Sequence, residues 1–220
     1  GVRLLMLRRS GLPLQTLEGF GRTLDRVEEF RPDRLAVFGY AHVPQLKKHQ
    51  TVFETSELPG PELRLKLLEL ANARLVAAGY VAIGLDHFAL PDDELLKSRK
   101  NGTLRRNFMG YATGAETDLL AFGPSSISEV GGYYAQNARD VHDWAARLEA
   151  GHAPTVRGYV CSADDELRRD VIMSVLCHLE VNLKTVAARH GADWALFGPE
   201  LTRLDALEAD GLLRREGPRI

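Results

Sequence analysis

Apolar positions in the first part of the chain recur every three or four residues, which is the spacing of an amphipathic helix. The first such segment covers residues 16–30 and follows Pro13. After a short polar gap, residues 35–38 form a continuous apolar run, which is typical of a strand buried in a parallel sheet. Helix, loop and strand in this order predict an α/β fold.

The same order of elements repeats further along the chain. Pro61 stands at the start of a second helical pattern, Gly79 is suited to its C-terminal end, and residues 80–85 form another short apolar strand. Polar loops follow both strands, at residues 39–42 and 86–89. Because parallel α/β folds bind ligands at the carboxyl ends of their strands, these two loops predict a ligand site.

The rest of the chain is predicted to be more helical. A helix is expected at residues 138–150, with Val141, Trp144, Ala145 and Leu148 facing inward. A boundary rich in Gly and Pro follows at residues 151–158. Only helices are expected after it, at residues 166–179, 183–190 and 199–209. This arrangement resembles a winged-helix domain. Its arginines are balanced by acidic residues, which favours a packing module over a DNA-binding one.

Length and composition indicate an ordinary globular protein, with 220 residues, 45% hydrophobic and 26% charged. We expect two domains, residues 1–155 and 156–220. The net charge of −2 gives no electrostatic basis for a nucleic-acid partner. No apolar run approaches the roughly 20 residues that cross a bilayer, and no signal peptide is recognisable, so the sequence predicts a cytoplasmic protein without a membrane partner.

The chain contains two cysteines, Cys161 and Cys177, which are sixteen positions apart and outside any CxxC motif. This spacing matches neither a zinc site nor a disulfide framework. We therefore expect two buried or half-buried thiols in a reducing compartment, and no metal site in this chain.

Titratable side chains stand on or near the predicted strand-end loops. His42 and His87 are suited to proton transfer or to binding a carboxylate, because histidine titrates near neutral pH. The alternative is that they only orient the loops through hydrogen bonds; as a metal pair they lack a third ligand at an informative spacing. Asp92, Asp93 and Glu94 are expected in the first turn of a helix, where they complement its dipole, with metal or substrate binding as the alternative.

Residues 106–113 and 118–128 are unusually dense in Gly, Ser and aromatic side chains. Glycine lets the main chain approach a ligand where a Cβ would clash, so these segments predict a binding wall. Phe108 and Tyr111 are either core residues or an apolar surface for a flat ligand. Arg106 ends a basic run that is either solvated or able to bind carboxylates or phosphates. Without a GxGxxG, P-loop or GxSxG motif, spacing alone indicates an α/β ligand-binding protein, with an enzyme favoured.

Taken together, several short segments resemble the oxygen-independent coproporphyrinogen III oxidase family. Its members are radical S-adenosylmethionine enzymes of haem biosynthesis. The resemblance extends over residues 11–217, and its specificity lies in the order and spacing of the segments. The matching segments are residues 11–16, 32–35, 40–42, 84–89, 91–95, 106–113, 118–128, 134–137, 168–172 and 210–212.

The resemblance implies the oxidative decarboxylation of two propionates of coproporphyrinogen III to vinyl groups, with a 4Fe-4S cluster, S-adenosylmethionine and an external electron donor. It implies the C-terminal part of an incomplete radical-SAM (β/α) barrel, a small winged-helix-like domain, and a monomer when full length. Ala41 and Ile127 match positions that contact S-adenosylmethionine. The substrate-pocket candidates are Tyr40, His42, His87, Arg106, Phe108, Met109 and Tyr111.

The chain also departs from the family pattern. The cluster motif CxxxCxxC is absent, and two cysteines cannot supply the three thiolates that hold the cluster. Residues 7–10 read Leu-Arg-Arg-Ser where the family has a strand whose Asp contacts S-adenosylmethionine, and Met109 replaces a Gln found in some members. The chain ends at Ile220, where a wing strand should continue. These departures predict a fragment that is inactive alone.

Two further interpretations remain open. A related haem chaperone would bind haem without decarboxylation; there we expect a Trp-containing version of residues 106–111, which this chain lacks. The other alternative is a non-enzymatic winged-helix interaction module.

Overall fold

The computed structural model describes residues 4–108, 110–114 and 118–220. The chain forms two compact units, which divide between Asn101 and Gly102. Both contain helices and strands, so the predicted mixed α/β class is confirmed. None of the helices in the described ranges combines the length and apolarity that a membrane crossing requires.

The first unit contains strands, α-helices and two short 3-10 helices, Lys48–Val52 and Thr55–Glu57. The main elements are β1 (Leu5–Ser10), α1 (Leu17–Phe30), β2 (Arg34–Gly39), α2 (Pro61–Ala77), β3 (Val81–Gly84), β4 (His87–Ala89) and α3 (Glu94–Lys100).

Helix α1 illustrates how local sequence sets these elements. The Thr16 hydroxyl accepts a hydrogen bond from the Gly19 N–H and caps the start of the helix. Arg31 takes a left-handed conformation at the end, and its N–H donates to the Val27 carbonyl. The buried face packs with α2 and the sheet into one core, whose members include Phe20, Leu24, Val27, Leu35, Val37, Leu67, Leu75 and Phe88.

The four strands of this unit form an open sheet in the order β1-β2-β4-β3. β1 and β2 are parallel, with Ser10 opposite Gly39, whereas β4 is antiparallel to both of its neighbours. The prediction of a loop at residues 86–89 is wrong, because residues 87–89 are strand β4. The chain reverses at Leu85, which has a positive φ of 50°. The returning strand is fully buried, so its backbone must pair with β2 and β3.

The second unit contains the remaining elements and a 3-10 helix, Trp194–Phe197. They are β5 (Arg105–Asn107), β6 (Gly110–Ala112), β7 (Ile127–Val130), β8 (Tyr133–Asn137), α4 (Val141–Glu149), β9 (Thr155–Val160), α5 (Ala163–His178), α6 (Leu183–Arg189), α7 (Gly198–Arg203) and α8 (Asp205–Ala209).

Strands β5 and β6 form an antiparallel hairpin, and β7, β8 and β9 form an antiparallel three-stranded sheet. The described part of the chain thus contains open sheets and no closed barrel. The expected boundary at residues 151–158 contains the start of β9, so the segment after it is not purely helical. The division between residues 155 and 156 falls inside β9 and stays a prediction.

Two of the helices expected after this boundary are present as α5 and α6, whereas the single helix expected at residues 199–209 is divided into α7 and α8. Ser162 and Asp165 form a capping box at the start of α5, and Leu179 ends that helix in a left-handed conformation. A separate core holds the helices together; its buried members are Leu167, Val181, Leu183, Val186, Ala187 and Phe197. The expected inward face of α4 is wrong in part, because Val141 and Leu148 are exposed.

Candidate functional site

Tyr40 follows β2 directly and is buried. Its N–H donates to the Ser10 carbonyl over 2.7 Å, which keeps the carboxyl ends of the parallel strands β1 and β2 together. The ring of Tyr40 lies 6.1 Å from the ring of His42, at a tilt of 42°. The loop that the sequence singled out thus begins with a buried aromatic residue and continues into half-exposed backbone.

Gln50 braces this loop from the short 3-10 helix Lys48–Val52. Its side-chain amide donates to the Ala41 carbonyl over 3.0 Å, and its Oε1 accepts the Val43 N–H over 2.6 Å. Gln50 is buried, whereas Ala41 is exposed. Sequence reasoning missed Gln50, because a lone amide in a polar stretch carries no local signal of burial.

Arg64 approaches the same strand ends from helix α2. Its Nη2 donates to the Tyr40 carbonyl over 3.1 Å. The guanidinium also lies beside Gly11, where a Cβ would be 3.5 Å from Nε. Gly11 has a φ of +80°, a conformation that favours glycine. Arg64 therefore places a cation at the carboxyl ends of β1 and β2, and it too was missed.

The two candidate histidines have different surroundings. His42 Nδ1 is buried without a hydrogen-bond partner among the described residues. His87 lies in β4, is buried, and its Nδ1 shares a 2.7 Å hydrogen bond with Asp86 Oδ1. The His87 ring also packs edge-on against Phe38, 5.9 Å away. The geometry of His87 matches the interpretation of a hydrogen-bonded, orienting histidine.

In the second unit, the hairpin β5-β6 brings two candidates together. Arg106 and Tyr111 are opposite each other, with the guanidinium carbon 5.1 Å from the ring centroid, a cation–π distance. The Tyr111 hydroxyl donates to the Leu176 carbonyl over 2.8 Å. Met109, which the sequence also proposed, lies outside the described residues.

Phe108 is largely exposed and contacts Tyr134 edge-on, with ring centroids 5.8 Å apart. Tyr134 is held in turn, because its hydroxyl donates to Glu129 over 3.1 Å and Arg169 Nη1 donates to the same carboxylate oxygen over 3.2 Å. Burial raises the pKa of Tyr134 above its ordinary value, so the phenol stays protonated at neutral pH.

Ile127 is half-buried at the start of β7. The turn before it is fixed by Asn137, whose side-chain amide donates to the Gly123 carbonyl over 3.1 Å and to the Ser126 hydroxyl over 3.0 Å. The Ser126 hydroxyl donates to the Gly123 carbonyl as well. Asn137 is therefore a second bracing residue that the sequence interpretation did not single out for this role.

A cavity of about 460 Å³ lies within the second unit, beside the hairpin β5-β6. Arginines and acidic residues line it in equal number. They are Arg105, Arg106 and Arg169, and Asp118, Glu129 and Asp170. This volume is within the range of small-molecule sites.

The thiols match the expectation of buried or half-buried cysteines. Cys177 is buried in α5 and Cys161 is half-buried, and burial raises the pKa of both. Three thiolates must hold a 4Fe-4S cluster in this class of motif, so two protonated thiols do not fit its ligand set. Within the described ranges, no group of three or more His, Cys, Asp or Glu side chains is arranged to hold a metal ion.

Comparison with solved structures defines the class of the fold. A coproporphyrinogen III oxidase from Escherichia coli, described as a radical SAM enzyme, superposes with a TM-score of 0.93 and 38% sequence identity. The match covers 98% of this chain and 50% of the other. The fold is therefore that of one half of a radical SAM enzyme.

Curated relatives give the particular family. The oxygen-independent coproporphyrinogen III oxidase of Pseudomonas aeruginosa is 42% identical over 96% of this chain, and that of Synechocystis is 42% identical over 94%. Each match covers 46% of the relative. The resemblance to the oxygen-independent coproporphyrinogen III oxidases is thus confirmed, and the chain spans about half the length of the curated relatives it matches. No protein-family profile matches the chain.

Proposed function

We propose that this chain is the C-terminal half of an oxygen-independent coproporphyrinogen III oxidase. The whole enzyme would convert two propionates of coproporphyrinogen III to vinyl groups, giving protoporphyrinogen IX. The observation that carries this proposal is that sequence similarity and a shared fold run together over nearly the whole chain.

In this proposal Ala41 and Ile127 contact S-adenosylmethionine. Ala41 is small and exposed and its carbonyl is already bonded to Gln50, so it offers a fixed surface rather than a competing polar group. Ile127 offers half-buried apolar surface on a braced turn, which suits an adenosyl group. When bound, S-adenosylmethionine supplies the hydrogen-abstracting chemistry.

The remaining candidates are proposed, separately in each unit, as residues that contact the porphyrinogen. Tyr40, His42 and His87 stand at the strand ends of the first unit, and the hairpin of the second unit supplies Arg106, Phe108 and Tyr111; Met109 is proposed with them. The cluster ligands would come from residues outside these 220, together with an external electron donor. We also propose that the strands contribute to an incomplete barrel and that residues 156–220 form a winged-helix-like packing module.

A chimera tests this function directly. The matching half of the Pseudomonas aeruginosa enzyme is replaced by this chain. The chimera is reconstituted anaerobically with iron and sulfide and is assayed with S-adenosylmethionine and an external electron donor. We expect the chimera to convert coproporphyrinogen III to protoporphyrinogen IX, measured by chromatography of the oxidised porphyrins, and this chain alone to show neither cluster absorbance nor conversion.

Two measurements keep the test decisive. Cluster absorbance and circular dichroism show whether the chimera is folded and loaded. A folded, cluster-loaded chimera that binds S-adenosylmethionine but forms no protoporphyrinogen would overturn the proposal. Tight haem binding by that chimera without conversion would instead indicate a haem chaperone.

A further inference from the structure

One guanidinium nitrogen in the second unit lacks an acceptor. Arg106 Nη1 is buried and has no hydrogen-bond partner among the described residues, although Arg106 lines the cavity beside the hairpin. An unsatisfied buried donor is costly, and the cost is greater when the group is charged. The stacking of Arg106 on Tyr111 fixes the direction of the side chain but satisfies no N–H group.

The acidic residues around the cavity already have partners in the protein. Asp118 accepts the Gly131 N–H over 3.1 Å. Glu129 accepts from Tyr134 and Arg169, and Asp170 shares a 2.9 Å hydrogen bond with His190. None of these described contacts supplies an acceptor to Arg106 Nη1. Among the described residues, Arg106 Nη1 therefore stays available to an acceptor that a bound ligand would supply.

The balance of charged side chains around the cavity indicates which kind of anion it would bind. Three arginines face three acidic residues, so the cavity is close to neutral and favours a single negative charge over a doubly charged phosphate. A carboxylate is the common biological monoanion that matches the fork of an arginine.

The cavity is also connected to the aromatic surface of the hairpin. The Tyr134 hydroxyl donates a hydrogen bond to Glu129 in the cavity wall, and the Tyr134 ring contacts the ring of Phe108 edge-on. A single pyrrole ring resting on Phe108 would therefore have its carboxylate-bearing side chain near the cavity. Apolar stacking beside one charged anchor is the usual composition of a small-molecule site.

We propose that this cavity binds one propionate carboxylate of the tetrapyrrole substrate, with Arg106 as its anchor and Arg169 positioning the wall through Glu129 and Tyr134. The proposal rests on the function proposed above, since it takes the substrate class from it. It adds a specific subsite and a specificity-determining residue for the carboxylate.

Coproporphyrin III, the stable oxidised form of the substrate, serves as the probe. It is titrated into the chain and into its Arg106→Gln, Arg106→Lys and Arg147→Gln variants, and Kd is read from porphyrin fluorescence. We expect Arg106→Gln to weaken binding about tenfold, because a charge-assisted hydrogen bond is lost. Arg106→Lys should recover part of the loss. Arg147 is the matched control: it pairs with Asp143, does not line the cavity, and its loss should leave Kd unchanged.

Two additional ligands identify what is recognised. The tetramethyl ester of coproporphyrin lacks carboxylates, so its affinity should not depend on Arg106. S-Adenosylhomocysteine carries a carboxylate on another scaffold, and its Kd should also be unaffected by Arg106→Gln. Three outcomes would overturn the subsite. They are an equal loss of affinity in Arg106→Gln and Arg147→Gln, no binding of coproporphyrin III at all, and an effect of Arg106→Gln on S-adenosylhomocysteine alone. Circular dichroism confirms that every variant is folded.

The chimera separates this proposal from the one on which it rests. If the chimera is active and Arg106→Gln leaves its KM unchanged, the subsite is wrong and the function stands. If the chimera is inactive while coproporphyrin binding depends on Arg106, the carboxylate subsite stands and the proposed function fails.

Discussion

At the scale of single residues, Asp93 shows how one side chain joins two elements. Its carboxylate is fully buried, with Oδ1 accepting the Leu95 N–H at the start of α3 and Oδ2 accepting Nε of Arg34 in β2. The interpretation of the acidic run as the start of a helix is thereby confirmed.

Replacing Asp93 by Ala should lower the free energy of unfolding by about 3 kcal/mol, since the cap is lost and the charge of Arg34 loses its buried partner. Urea denaturation followed by circular dichroism measures the change. Asp92→Ala is the matched control, because Asp92 is exposed and adjacent; it should change stability by no more than about 0.5 kcal/mol. Similar effects for both variants would contradict the assignment.

Asp165 should make stability depend on pH. Hydrogen bonds from the Ser162 hydroxyl and N–H, and from the Tyr159 hydroxyl, hold the pKa of Asp165 below its ordinary value of 3.8. The folded state therefore binds its proton less readily than the unfolded chain does. The resulting stabilisation is present above pH 3.8 and is lost as the pH falls through the lowered folded-state pKa.

Asp165→Asn should therefore be less stable than the parent at pH 7, and the difference should shrink steadily as the solution is acidified below pH 3.8. Urea unfolding at a series of pH values measures this. Asp164→Asn is the control, since it also removes a first-turn carboxylate but leaves the bonds at Ser162 intact. If both variants follow the same pH profile, the hydrogen bonds at Ser162 are not the cause.

At the scale of elements, the strand-end loop of the first unit depends on a short 3-10 helix. Replacing Gln50 by Ala removes the acceptor of the Val43 N–H and the donor to the Ala41 carbonyl. We expect hydrogen exchange at the Val43 amide to become about tenfold faster, in line with the loss of one buried hydrogen bond. His49→Ala changes an exposed neighbour on the same helix and should leave the exchange rate unaltered. Unchanged exchange in Gln50→Ala would show that the loop is held by other contacts.

The helices were the most predictable elements because their signals are local. The spacing of Phe20, Leu24 and Val27, with Thr16 before them, is sufficient to predict α1. Gly79 follows α2 with a φ of +88°, as the sequence indicated. Each of these signals acts within one or two helical turns, so no knowledge of distant partners is needed.

The missed strands depend on distant partners. β4 has only three residues, and it is a strand because it lies between β2 and β3. β9 is exposed along its whole length, so it has no apolar stripe, and its form comes from pairing with β8. Likewise, periodicity identified an apolar face on α4 but contained no information about what covers Val141 and Leu148.

The candidate functional residues also divide into those that the sequence identified and those that depend on contacts between distant positions. Ala41 and Ile127 were reached through a family resemblance, and their contacts with S-adenosylmethionine stay predictions. Sequence patterns did not identify Gln50 and Arg64, which hold the backbone at Ala41 and Tyr40, or Asn137, which holds the turn before Ile127. Their contacts join positions that are 7 to 24 residues apart, so no short motif contains both partners.

At the scale of the whole molecule, each compact unit has its own apolar core, but the second unit also keeps an apolar groove. The groove encloses about 600 Å³ among the helices of residues 163–220. Ile172, Val175, Leu179 and Leu212 line it and are all exposed. Contiguous apolar surface of this kind attracts apolar ligands and other protein surfaces, unlike a single exposed side chain.

The folded chain should therefore bind the dye anilinonaphthalene sulfonate without denaturant. Replacing both Ile172 and Leu212 by Gln should reduce dye fluorescence several-fold at equal protein concentration, because the polar amides interrupt the groove at two exposed positions. Phe30→Gln is the matched control: Phe30 is also largely exposed, but it stands outside the groove on α1, and its loss should change the signal little. Sedimentation velocity on the same variants shows whether self-association follows the groove as well. Equal loss of fluorescence in both variants would mean that the dye reports exposed apolar side chains in general, and the groove would then have no distinct affinity.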